Sequence, residues 1–392
     1  MQERFKKRAL SIIFSIVIIN LIGFGIIIPL LPFYAERLGA SEVEIGFLFA
    51  SFSIAQLLAS PFLGALADRF GRRPMLVMSL LGTTAGFVLL AVANSLWLLF
   101  LSRIIDGLSG GNVTIARAYV ADVLEEHERA KGYGMLGAAF GIGFIAGPLL
   151  GGLLVPLDLS APAWAAAALA FIAMVATAGW LPETVQRHRE MQQATVWQQL
   201  KELRRFPRMR AFLVADFLMW AAVSVYQTTF ALFVFRRFGL SADQVSYAIA
   251  FLGVVGVLTQ GGLVRVIVPR LGEHRSLWIG LLLMGTGLAV ATVMPSPLLF
   301  LAVLVPSSIG SGMATPAMLS LLSAQVPPEY QGRLQGVTGS VESLSRIVGP
   351  IWGNGLLRFS LYASYLSAAA VIILLGFWVA SFLPSKASSA AR

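Results

Sequence analysis

Twelve long apolar runs, each close to the length of a helix that crosses a bilayer, constrain this chain more than any other feature. A hydrocarbon core about 30 Å thick takes about 20 residues of helix. The runs cover residues 9–34, 44–66, 74–94, 96–120, 132–155, 162–181, 210–235, 243–266, 276–294, 297–324, 333–357 and 362–383. Only 12% of the residues are charged and 57% are hydrophobic, with a mean hydropathy of +0.80, whereas a globular chain solvated by water carries about 25% charged residues. An all-α integral membrane protein with the lipid bilayer as its solvent is therefore expected. The basic start, Met1 to Arg8, resembles a signal peptide, but the apolar run continues to about Tyr34 without a small-residue cleavage site. That is too long for a signal h-region, so it is predicted to stay as helix 1.

The basic residues punctuate the runs, and their placement predicts orientation. With the N-terminus inside, only Arg37, Arg236, Arg237 and Arg358 of the 29 lysines and arginines fall on the outer side, and Arg103, Arg117 and Arg346 fall within spans. Both termini are predicted cytoplasmic, in a multi-pass protein of the cell (inner) membrane. The net charge of +10 is thus read as topology and not as nucleic-acid binding, since no reader fold or continuous basic face accompanies it. The chain has no cysteine, and His127, His188 and His274 lie between the apolar runs. No metal site or cofactor is expected. None of the five lysines precedes Ser or Thr, so there is no phosphate-binding loop for a nucleotide, and a gradient must drive any uphill transport.

The longest polar stretch divides the chain. Residues 1–181 and 210–392 are predicted to form two six-helix bundles joined by a linker over 182–209. In it Val196, Trp197, Leu200 and Leu203 recur at helical spacing, as in an amphipathic helix lying on the inner membrane face. The halves resemble each other at offsets of 200, 201 and 202 residues. Phe33 to Ser41 parallels Phe233 to Ser241; Asp68-Arg-Phe-Gly71 parallels Pro269-Arg-Leu-Gly272; Gly147-Pro-Leu-Leu-Gly151 parallels Gly349-Pro-Ile-Trp-Gly353. Three near-equal offsets in chain order point to duplication.

Three stretches carry a family likeness. Gly64-Ala-Leu-Ala-Asp68-Arg69-Phe-Gly71-Arg72-Arg73-Pro74, between helices 2 and 3, resembles the loop signature of the major facilitator superfamily. The run from Gly137 through Gly141, Gly147 and Pro148 to Gly151 and Gly152, in helix 5, is similar to the motif of its drug:proton antiporters. The stretch from Arg103 to Gly152 looks most like tetracycline and multidrug efflux proteins. The resemblance covers the whole chain and implies twelve helices in two pseudo-symmetric bundles with a midplane site between repeats. It also implies an inner gate. Asp68 would cap the positive first turn of helix 11 near Gly332, and Arg72, Asp122 and Arg333 would complete a charge cluster beside Arg69. The plainer alternative is that Asp68-Arg69 and Arg72-Arg73 form a solvated turn obeying topology. In helix 5 the glycines permit close helix approach and Pro148 bends the run, as a rocking helix needs.

Ionisable residues inside spans cost about 2.5–3.5 kcal/mol each on insertion scales and ask for a reason. They are Arg103, Asp106 and Arg117 in helix 4, Asp216 in helix 7, and Glu342 and Arg346 in helix 11. Helix rise places Asp106 near the bilayer midplane. Spacings of three and four put Arg103 with Asp106, and Glu342 with Arg346, on common helix faces. One reading makes Asp106 the main proton carrier tuned by Arg103, with Glu342 sharing that role or contacting cationic substrate. The other makes both pairs internally neutralised struts. Asp216 reads as an interfacial charge or as a third coupling site. The resemblance associates an arginine at the place of Arg103 with proton coupling. Where tetracycline exporters carry an acid in helix 1, this chain has Asn20, which directs protonation toward helices 4, 7 and 11 and the substrate away from tetracycline. Asn20, Gln56, Asn112, Trp220, Tyr226, Gln227, Gln260 and Trp352 are candidates to line the substrate cavity, with interhelical glue as the alternative for each.

These observations lead to a proton-coupled antiporter, expected as a monomer, exporting small lipophilic drug-like molecules by alternating access. The alternatives are a metabolite exporter or facilitator (sugar or amino acid) on the same scaffold, and a non-transporting membrane sensor or enzyme. The last is disfavoured because the loops hold no catalytic constellation.

Overall fold

In the computed structural model, which describes residues 2–125, 128–184, 206, 208–327 and 330–382, every regular element among the described residues is helical. The amphipathic helix expected in the linker lies outside them. The chain divides into two compact units, Met1–Gln193 with Leu240–Ala250, and Ala194–Gly239 with Phe251–Arg392. The first unit holds α1 (Gln2–Ile27), α2 (Leu31–Arg37), α3 (Glu42–Phe70), α4 (Arg72–Ala91), α5 (Leu96–Leu108), α6 (Asn112–Val123), α7 (Arg129–Leu154) and α8 (Ala161–Trp180). The second is built on α9 (Met209–Phe238), the latter part of α10 (Ala242–Leu258), which is divided between the units after Ala250, α11 (Val264–Leu271), α12 (Glu273–Ala291), α13 (Pro297–Ser323), α14 (Gln331–Leu357) and α15 (Ala363–Phe382).

Ten of the twelve expected spans are helices long and apolar enough to cross a membrane by themselves. The other two are spans 4 and 11, which carry most of the ionisable residues found within spans. Span 11 is α14, a continuous helix whose polar content lowers its hydropathy. Span 4 is interrupted at 109–111, where Ser-Gly-Gly separates α5 from α6. Three further features depart from straight rods. Span 1 breaks at 28–30, where Pro29 lacks the amide hydrogen a helix needs, and resumes as α2 with Pro32 in its first turn. Span 8 passes through a π-helical turn, Thr259–Leu263, between α10 and α11. Prolines also lie inside α3, α7, α11, α13 and α14.

The duplication read from the sequence reappears in the backbone. Gly39 and Gly239 close the C-terminal ends of α2 and α9 at φ 81° and 69°, and Gly71 and Gly272 turn the chain between spans 2–3 and 8–9 at φ 109° and 78°. Residues with a Cβ rarely adopt such angles, so each pair of equivalent turns is fixed by the same glycine. After the first pair, Ser41 caps α3 in a reciprocal box with Glu44, and the Ser241 amide donates to Gln244 at 3.1 Å.

Packing repeats as well. A Cβ at Gly147 of α7 would stand 2.6 Å from the Gly25 Cα of α1 and 2.8 Å from the Ile22 carbonyl oxygen. A Cβ at Gly349 of α14 would stand 2.6 Å from both the Ala221 oxygen and the Ser224 Cβ of α9. In each unit a glycine row on the fifth helix lets its backbone rest on the first helix. Not every glycine of the helix 5 motif serves this purpose. Gly151 continues the seam toward Ile26, whereas Gly137 has open space where its Cβ would be.

Candidate functional site

The interruption of span 4 is the structural key to the first unit. Breaking a helix within a membrane leaves backbone carbonyls without partners, each costing several kcal/mol in hydrocarbon. Side chains from neighbouring spans supply donors. Gln56 of α3 donates from Nε2 to the Gly110 oxygen at 2.9 Å. The Ser79 hydroxyl of α4 reaches two acceptors, the Ser109 oxygen and Asn112 Oδ1. Asn112, the first residue of α6, donates from Nδ2 to Thr83 Oγ1 at 3.4 Å. Gln56 and Asn112 are thus engaged at the break.

One turn before the break, Arg103 Nη1 meets Asp106 Oδ2 at 3.2 Å, with both side chains only 4% exposed. Asp106 lies against α4, where a Cβ on Gly86 would come within 2.9 Å of its own Cβ. Arg103 also lies over the Phe87 ring, 5.6 Å from its centroid, and its Nη2 has no hydrogen-bond partner among the described residues. Two desolvated charges at this spacing attract strongly, but removing either leaves an uncompensated charge whose cost is several kcal/mol. Taking up a proton on Asp106 is a smaller perturbation than deleting it, yet it leaves the guanidinium unneutralised in a dry site.

Where α3 meets α4 in the same unit, Arg72 bridges two carboxylates. Its Nη2 lies 2.6 Å from Asp68 Oδ1 and its Nε 3.0 Å from Asp122 Oδ2, and its side chain is 12% exposed. Asp122 closes α6, so the half of span 4 below the break is tied to the loop between spans 2 and 3. Glu183, beyond α8, completes the arrangement by accepting from the Arg72 and Arg73 amides at 2.9 and 3.1 Å. These are the orphan donors at the start of α4, where the helix dipole favours an anion. The sequence reading missed Glu183. Its signal was an acid directly after the Leu181-Pro182 end of span 6, on a side where basic residues prevail. Arg69 is exposed and its guanidinium lies 5.3 Å from the centre of the Phe70 ring. In the second unit the equivalent loop carries Pro269 and Glu273 in place of Asp68 and Arg72, so this charge cluster belongs to the first unit's loop. Arg333 lies over the Tyr330 ring at 5.2 Å.

The ionisable groups of the second unit are held differently. Arg346 and Glu342 are 3.5 Å apart on α14, with side chains 47% and 34% exposed, a looser and wetter pair than Arg103 and Asp106. Asp216 of α9 is 4% exposed and its Oδ2 has no hydrogen-bond partner among the described residues, a placement unlike that of a solvated interfacial charge. Beside it the Ser345 hydroxyl reaches the Phe217 oxygen at 3.0 Å and pins α14 to α9. Of the remaining cavity candidates, Asn20 is buried with Oδ1 unsatisfied, and Tyr226 packs edge-on against Phe230 and Tyr365. Trp220 and Trp352 are half-buried, Gln227 is exposed, and Gln260 is exposed in the π turn. Among the described residues no group of three or more His, Cys, Asp or Glu side chains is placed to hold a metal ion.

A profile of the Major Facilitator Superfamily matches residues 13–350 and, again, 264–392. The chain belongs to the major facilitator superfamily. It is a multi-pass membrane transporter of the superfamily's drug:proton antiporter group and not an enzyme. It is 33% identical over 352 residues to the class E tetracycline resistance protein of Escherichia coli, covering 88% of this chain and 87% of that one. It is 30% identical over 374 residues to multidrug resistance protein 2 of Bacillus subtilis (strain 168), covering 94% and 93%. Among solved structures, the nucleoside transporter NupG superposes with a TM-score of 0.79 at 17% identity, covering 96% of this chain and all of that one. The human organic anion transporter MFSD10 (TETRAN) superposes with a TM-score of 0.73 at 23% identity, covering 95% and 99%. At those identities the structural likeness concerns the fold, which is the twelve-helix arrangement expected from the sequence.

Proposed function

We propose that this transporter exports small lipophilic drug-like molecules across the cell's inner membrane in exchange for protons, with Asp106 as the main proton carrier. The observation that carries the reading is the dry Arg103–Asp106 pair beside a break in span 4. A carboxylate placed there changes the charge balance of its surroundings each time it takes or gives a proton, and the interrupted helix next to it is a place where the backbone can respond. The names of the relatives support export of drugs, because tetracycline and multidrug resistance proteins align along most of the chain. Asn20 replaces the helix 1 acid implied by the tetracycline resemblance, so other lipophilic compounds fit better than tetracycline itself.

In this reading both termini are cytoplasmic, residues 1–181 and 210–392 are the two halves that alternate access, and the monomer is the working unit. Asp68, Arg69, Arg72, Asp122 and Arg333 form the inner gate. Glu342 and Asp216 are the second-half acids, and Arg346 moderates Glu342. The cycle runs by competition. Protonation from the outer side neutralises Asp106 and releases drug outward, and loss of that proton to the inner side prepares the site to load again.

Everted membrane vesicles with an acidic lumen test the function. Ethidium, tetraphenylphosphonium and neutral lipophilic dyes are expected to accumulate inside and to leave when the gradient is collapsed. Accumulation of sugars or amino acids, with all the drug-like probes left at their passive level, would make the protein a metabolite transporter instead.

A further inference from the structure

In each unit the C-terminal end of the first span is bonded to the turn between the fifth and sixth spans, and the two units make that junction with different chemistry. In the first unit the Tyr34 hydroxyl of α2 donates to the Leu159 oxygen, in the turn between α7 and α8. In the second, Arg237 in the last turn of α9 donates from Nη1 to the Tyr362 hydroxyl, in the turn between α14 and α15. The receiving turns are equivalent at the duplication offset of 202. In one the Ser160 amide donates to Asp158 Oδ1 at 2.7 Å, and in the other the Tyr362 amide donates to Ser360 Oγ at 3.2 Å. Each turn therefore holds its own shape, independently of what is attached to it.

The attaching residues are not equivalent. At the offset of 200, Arg37 aligns with Arg237 and is exposed, while Val234 aligns with Tyr34 and has no polar atom on its side chain. A bond inherited passively through duplication would sit on the same position twice. Instead the aromatic hydroxyl stands on the span in one unit and on the turn in the other, so what is kept is the junction and not the residue. The Arg237 guanidinium extends its junction further. Its Nη2 donates to the Met294 oxygen at 2.9 Å, in the turn between α12 and α13, and its carbon lies 4.9 Å from the centre of the Tyr362 ring and 5.4 Å from that of Phe238. Lipid does not press helices together as water does, so their ends stay in place through packing and polar bonds. The glycine rows of α7 and α14 extend along the first spans to Leu30 and Thr229, short of Tyr34 and Arg237. In the first unit the break at 28–30 also stops the helix ladder of α1 from carrying α2.

We infer that Tyr34 and Arg237 are positioning residues that strap the first span of each unit to the turn after its fifth, and that both straps stay closed throughout transport, so that the first, fifth and sixth spans of a unit move as one piece. The inference rests on the proposal that the two halves alternate access, and adds the bonds that keep each half intact while it does so.

The chain has no cysteine, so each strap can be replaced by a thiol pair in the full-length protein. Tyr34→Cys with Leu159→Cys, and Arg237→Cys with Tyr362→Cys, each remove one strap, and a reducible bis-methanethiosulfonate comparable in length to a tyrosine side chain restores a link. Gradient-driven ethidium uptake into everted vesicles is expected to slow by about five-fold or more in each open pair, the worth of a hydrogen bond, and to return to within about two-fold of the wild type on bridging. Reduction of the bridge should slow it again. A bridge that stops uptake until it is reduced would mean that the strap opens during the cycle, and would overturn the inference. So would open pairs that work at the wild-type rate, or a bridge that restores nothing. Open, bridged and reduced states are compared in the same molecules, so loss of folding does not imitate the expected result. Tyr34→Phe, which deletes only the hydroxyl, decides the first strap if a thiol pair fails to elute as the wild type on size exclusion, and wild-type uptake by it would overturn that strap. Absence of uptake of every drug-like probe by the wild type would instead sink the transport reading on which the inference rests.

Discussion

Replacing Asp106 by Asn is expected to abolish gradient-driven accumulation of ethidium in everted vesicles while leaving energy-independent exchange of the same probe intact. Asn keeps the shape and a hydrogen-bonding oxygen for Arg103, so the packing of α5 against α3 and α4 survives. What it loses is the ability to change charge. Each proton that moves down a 100 mV potential contributes about 2.3 kcal/mol, a concentration ratio of about 50-fold, and a carrier that cannot bind the proton cannot draw on it. The neutral pair partner leaves Arg103 as an unpaired cation in a site 3% exposed, a charge imbalance that an ionised Asp106 otherwise offsets. Accumulation by Asp106→Asn at the wild-type level would move proton coupling to Glu342 or Asp216.

The second large effect is structural. Gly147→Val is expected to lower the thermal midpoint of the protein by about 5 °C or more, with loss of monodisperse material on size exclusion after heating. The reason is that the Cβ of residue 147 would press on the backbone of Gly25 at 2.6 Å and of Ile22 at 2.8 Å. Backbone cannot rotate away as a side chain can, so α1 and α7 would have to separate along their whole seam. Gly137→Val on the same helix is the matched control, since nothing lies within 4 Å of a Cβ there. It is expected to leave the midpoint within about 1 °C, the behaviour of substitutions away from packed features. Equal stability of the two variants would mean that the glycine row does not set the α1–α7 distance.

Much of this molecule was legible in its residues, because lipid imposes few solutions. Length and apolarity gave the spans, and the repeated stretches around Gly39, Gly71, Gly239 and Gly272 pointed to the duplication that their shared turns display. The Arg103–Asp106 and Glu342–Arg346 contacts follow from helical spacing, whereas the contact of Arg72 with Asp68 belongs to the charge cluster that the family resemblance implied. What could not be read were features that depend on contacts distant in sequence. The interruption at 109–111 looked like two more glycines in a helix, since nothing local says that Gln56 and Ser79 would take over the freed carbonyls. Glu183 caps α4 from 111 residues away. Asn112 presented itself as a cavity residue, and only the neighbouring spans reveal that it joins Ser79 to Thr83. Hydropathy also concealed the difference between the two ion pairs, one dry and one half-exposed.

The most direct test of the central claim is to follow protons and drug together. Acid-loaded everted vesicles carrying a luminal pH dye are given ethidium while both signals are recorded. The wild type should show luminal alkalinisation that begins with ethidium entry and scales with it, and Asp106→Asn should show neither beyond the passive leak. Alkalinisation of equal size in Asp106→Asn would contradict the account, since the proton would then be travelling by a route that does not use this carboxylate.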